Sequence, residues 1–67
     1  MKFEAVSRRV LSEFAEMPGM ALTTKQAALL FGLEEDDCRV ILDALVDAAY
    51  LRQRHDGAVT LGRRVAA

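Results

Sequence analysis

Sixty-seven residues suffice for one domain, near the lower size at which a core stands without staples. Hydrophobic residues at 52% and a single proline exclude a disordered chain, and one cysteine without companion metal ligands excludes an internal disulfide or a zinc staple. The net charge of −1 conceals an asymmetry, since residues 1–33 carry +1, residues 34–49 carry −5 and residues 50–67 carry +3.

In chain order, Phe3, Val6, Val10, Leu11, Phe14 and Met17 share one helical face, with Lys2, Glu4, Arg8, Arg9, Glu13 and Glu16 on the others. This spacing predicts a helix over about 2–16, stopped by Pro18 and Gly19. Met20, Ala21 and Leu22 then run extended into Thr23-Thr24-Lys25-Gln26. That tetrad is a T-x-x-Q capping box, in which the Thr23 hydroxyl accepts from the Gln26 amide and the Gln26 side chain accepts from the Thr23 amide. A short helix over about 24–31 follows. Gly32 closes it, because glycine enters the left-handed region without a Cβ clash, and Leu33 turns the chain back toward the core.

A longer helix over about 34–49 is predicted from the stripe Cys38, Ile41, Leu42, Leu45, Val46 and Ala49. Its first turn is crowded with acids, where the helix dipole favours them. Strands over about 50–54 and 58–61 form a hairpin whose register follows from its apolar residues. A two-residue Asp56-Gly57 loop would set Leu51 against the face of Val59 and Leu61. A three-residue loop, His55-Asp56-Gly57, with Gly57 left-handed in a bulge, pairs Arg54 with Ala58, Gln53 with Val59 and Leu51 with Leu61. In that register Leu51, Val59 and Leu61 face inward, and Arg52, Arg54, Ala58 and Thr60 face outward. Residues 63–67 are expected to form a frayed tail of a single domain, 1–67. No internal repeat is visible.

Ala28 lies four before the turn glycine, Leu33 directly after it, and Cys38 and Ile41 six and nine after it. This spacing resembles the helix-turn-helix of bacterial transcriptional regulators. The hairpin makes the resemblance one to the winged helix-turn-helix, over roughly residues 3–62. The fold class implied is mainly α with a small β-hairpin, a three-helix winged helix-turn-helix in which residues 20–22 add a third strand. In many winged helices a glycine precedes the aromatic-leucine pair, whereas here Ala49 precedes Tyr50 and Leu51, so the long helix is expected to end less sharply or one residue later.

One His, one Cys, no nucleophile-base pair and no Gly-rich phosphate loop give the expectation of a protein that is not an enzyme, with no cofactor and no small-molecule substrate. Cys38, on the apolar stripe, reads as a buried structural thiol and His55 as a solvated loop-tip residue. Adjacent Asp36 and Asp37 point in different directions and have no third ligand, so they stabilise a helix start and no metal is expected. No apolar run approaches the ~20 residues of a membrane span and no signal-peptide core is seen, so a soluble, cytoplasmic protein without membrane contact is expected.

The resemblance implies double-stranded DNA as partner and a role in transcription regulation. Carried over by position, Thr24 and Lys25 meet a phosphate, and Glu34, Glu35, Asp36, Arg39, Val40 and Asp43 point at bases. Arg52, Arg54, Arg63 and Arg64 meet the flanking backbone. Four consecutive acids facing phosphates make the expected binding weak and salt-sensitive, with a slope near −3.6 in log K against log salt for about four contacts. The alternative is a protein-interaction module that does not bind DNA and uses Glu34, Glu35, Asp36, Asp43 and Asp47 of the acidic helix to meet a basic partner, or a homodimer joining acidic helix to basic wing.

Overall fold

The computed structural model describes residues 2–62. Helix α1 (Phe3–Glu16), strand β1 (Ala21–Leu22), helices α2 (Thr24–Phe31) and α3 (Glu35–Asp47), and strands β2 (Leu51–Gln53) and β3 (Val59–Leu61) follow in that order. The three antiparallel strands lie in the order β1-β3-β2. The fold is mainly helical with a small hairpin, as the hydrophobic pattern requires.

Helix α1 buries Val10 and Phe14, with Val6 and Leu11 partly covered. Phe3 and Met17, expected on that inward face, are 40% and 59% exposed. They sit at the two ends of a helix that overhangs a small core, and Met17 has already left helical geometry at φ −127° and ψ 73°. The capping box at the start of α2 is formed, with Gln26 N–H donating to Thr23 Oγ1 at 3.2 Å and Thr23 N–H to Gln26 Oε1 at 3.0 Å. Gly32 is left-handed at φ 68°, and the Leu33 amide closes the turn on the Ala28 carbonyl at 2.9 Å.

This corner presses α2 onto α3. Ala27, Ala28 and Phe31 from one helix and Cys38, Ile41, Leu42 and Leu45 from the other join Val10, Phe14, Leu51 and Val59 in one core cluster. The Phe14 and Phe31 rings meet at a centroid distance of 6.4 Å and a tilt of 49°, an edge-like arrangement that suits aromatic quadrupoles.

Helix α3 begins after Glu34 and stops at Asp47, two residues short of the expected 49. Ala49 is therefore outside the helix and exposed, not part of its buried stripe. The end is sharp despite the missing glycine. Ala49 itself takes the left-handed conformation at φ 67°, its amide donating to Val46 O at 2.9 Å and the Tyr50 amide to Leu45 O at 3.0 Å. These two bonds are those of a Schellman cap.

The hairpin register is Leu51 with Leu61 and Gln53 with Val59. Arg54 N–H donates to Ala58 O at 2.7 Å, Gly57 N–H to Arg54 O at 3.0 Å, and Gly57 has φ 91°, so the loop is the three-residue one. Ala58 and Thr60, expected outward, are buried. Thr60 lies on the central strand between Arg52 of β2 and Ala21 of β1, and its hydroxyl donates to the Met20 carbonyl at 2.8 Å. A third strand thus covers what a lone hairpin would leave wet.

Candidate nucleic-acid interface

The start of α2 is held by its capping box, which leaves Thr24 half-buried and Lys25 exposed at the helix N-terminus. The core stripe of α3 turns the opposite side of that helix to solvent. Glu35, Asp36, Arg39, Val40, Asp43 and Asp47 are all exposed there, with Glu34 exposed at the cap. Arg39, the sole cation on α3, stands 3.8 Å from Glu35 one turn back, so its guanidinium leans on a carboxylate of its own helix. Both side chains are more than half exposed, and such a pair contributes only about 0.3–0.5 kcal/mol, little enough to be exchanged for a phosphate.

On the wing, alternation sends Arg52 to the outer face of the sheet, opposite Leu51. Arg54 Nη2 lies 3.0 Å from Asp56 Oδ2, while Asp56 Oδ1 accepts from the Ala58 amide at 3.0 Å. Asp56 is therefore fixed by the backbone and in turn fixes Arg54. Among the described residues, neither Lys25 nor Arg52 has an ion pair within 4.0 Å. Arg63 and Arg64 lie outside the described residues.

Two features were not read from the sequence as part of this surface. One is Leu29 on α2, which is 79% exposed, whereas Val40 on α3, already placed there by the sequence, is 56% exposed. The Glu35–Arg39 pair could have been found from its i, i+4 spacing alone. Cys38 is fully buried, and desolvation, with a smaller contribution from the Glu35 charge, pushes its thiol pKa up. Among the described residues no group of three or more His, Cys, Asp or Glu side chains could hold a metal ion, and no helix is long and apolar enough to cross a membrane.

No family model, no curated protein and no solved structure matches this chain. The architecture stands on its shape alone: a small three-helix domain with a β-hairpin, consistent with winged helix-turn-helix architecture.

Proposed function

We propose that this domain binds double-stranded DNA weakly and in a salt-sensitive way, as a small regulator of transcription. The observation that carries the reading is the Gly32 corner, which packs α2 on α3 and leaves the outer side of α3 exposed, with Lys25 exposed at the α2 start and Arg52 and Arg54 exposed on the hairpin. In a helix-turn-helix that side enters the major groove, the start of the preceding helix meets a phosphate and the wing meets the flanking backbone.

Charge sets the strength. Lys25, Arg39, Arg52 and Arg54 are exposed, and so are Glu34, Glu35, Asp36, Asp43, Asp47 and Asp56, so carboxylates outnumber the cations. Of these four cations, Lys25 and Arg52 have no ion pair within 4.0 Å among the described residues. Two full phosphate contacts correspond to a slope of about −1.8 in log K against log salt, and four to about −3.6. Fluorescence anisotropy of a labelled random duplex tests the reading. Binding at low salt that weakens at moderate salt, and weakens further with Arg52→Ala plus Arg54→Ala, supports it; no binding at low salt defeats it.

A second reading has its own support in the Glu35–Arg39 pair and the exposed Val40, which make the α3 face acidic and apolar. Such a face suits a basic protein partner better than a phosphate backbone. A domain that ignores duplex at every ionic strength but binds a basic peptide through α3 would establish this reading in place of the first.

A further inference from the structure

The outer face of the sheet carries an open cavity of about 540 Å³, lined by Gly19, Ala21, Arg52, Gln53, Arg54, His55 and Thr60. Its form follows from the strand register. Ala21, Thr60 and Arg52 lie side by side across β1, β3 and β2, so two small side chains make a floor and one long cation makes a wall. Gly19 keeps the far end low, and the loop residue His55 stands with Arg54 at the wing end.

The chemistry of the lining is one-sided. Two guanidinium groups and an imidazole line the hollow, and among the described residues no carboxylate does. Thr60 has committed its hydroxyl proton to the Met20 carbonyl. Arg54 is anchored through Nη2 by Asp56, which limits its rotamer search without consuming its remaining N–H donors. Arg52, with no ion pair within 4.0 Å among the described residues, is the charge the hollow has available. A planar fork of donors beside a second one suits a tetrahedral oxyanion.

We infer that this hollow receives a phosphate group, held chiefly by Arg52, with Arg54 and His55 completing its donors. The site shares two arginines with the proposed DNA contact but does not depend on it. A duplex phosphodiester and a free phosphate offer the same chemistry.

The test is a titration followed in 1H–15N correlation spectra, including arginine Nε–Hε signals, with inorganic phosphate, with chloride at matched ionic strength, and with a short duplex. Phosphate should shift the Arg52 side-chain signal and the Ala21 and Thr60 amides, and chloride should not. Arg52→Gln should weaken phosphate binding by about tenfold, the loss expected for one charge-assisted contact. Gly19→Asp should do the same by placing a carboxylate at the mouth; a Cβ at Gly19 meets nothing within 4 Å, so the fold tolerates it. A duplex that causes the same shifts and displaces phosphate identifies the ligand as a backbone phosphodiester. Phosphate binding without any duplex effect identifies a free ligand, and removes the DNA reading while leaving this site intact. No shift with phosphate, equal shifts with chloride, or shifts that survive both substitutions overturn the inference.

Discussion

Gly62 packs against the backbone of Ala49 so closely that a Cβ at Gly62 would stand 2.7 Å from the Ala49 carbonyl oxygen. The same Cβ would lie 3.0 Å from the Tyr50 carbonyl oxygen, and the Gly62 amide already donates to that oxygen at 2.8 Å. The end of β3 is thus locked to the turn that leaves α3. Neither side can yield as a flexible side chain would, because the opposing atoms are backbone. Gly62→Ala should cost about 2 kcal/mol as an overpacking change, lowering Tm by about 8–16 °C in thermal unfolding.

Ala49 and Gly32 occupy the same left-handed region, at φ 67° and 68°, with opposite residue types. An alanine there carries a steric cost of about 1 kcal/mol that glycine lacks. Ala49→Gly should therefore raise stability by about 1 kcal/mol and Gly32→Ala should lower it by a similar amount, both read from denaturant midpoints at unchanged slope. A loss of stability in Ala49→Gly would contradict the cap described for α3.

Burial raises the Cys38 thiol pKa above its ordinary value of 9.0, so the fold favours the neutral thiol over the thiolate. The sign follows from linkage: the contribution is fully present below the unfolded-state pKa and is lost as pH rises through the higher folded-state one. Stability should fall in the alkaline range, and Cys38→Ala should flatten that fall while costing some packing. Thiol alkylation at neutral pH should be slow in the native protein and fast in denaturant.

Acids on α3 oppose any approach of phosphates. Glu35→Gln with Asp36→Asn removes two of them and releases Arg39 from its 3.8 Å partner. Both acids lie in the first turn of α3, so the double change should cost about 1–2 kcal/mol of helix-dipole stabilisation while leaving their exposed positions free of any packing loss. Duplex affinity at low salt should rise by about tenfold or more in anisotropy, since each charge removed acts directly on the electrostatic part of binding. An unchanged affinity would mean that α3 does not face DNA.

Local signals account for much of what is legible in the sequence. The Thr23–Gln26 box and Gly32 mark helix ends through bonds made within a few residues, and the hairpin register follows because Leu51, Val59 and Leu61 must share a face. Ala49 escaped because alanine has no preference that announces a left-handed cap; Gly62 helps to hold it there from thirteen positions away. Thr60 was misplaced because its cover comes from β1, nearly forty residues earlier. In the candidate interface, the exposed positions of Lys25, Arg39, Arg52 and Arg54 followed from helix and strand periodicity. What periodicity could not show was pairing outside a helix, where Arg54 lies 3.0 Å from Asp56. The hollow on the outer sheet was likewise invisible, because it needs Gly19 and Ala21 beside a strand pair distant in sequence.

The most direct test of the central claim is an amide chemical-shift map of the 15N-labelled domain on addition of a short DNA duplex at low salt. The account predicts shifts concentrated at Thr24 and Lys25, along the outer side of α3 around Arg39 and Val40, and on the wing at Arg52 and Arg54. A spectrum unchanged by saturating duplex, or changes confined to α1, would contradict it.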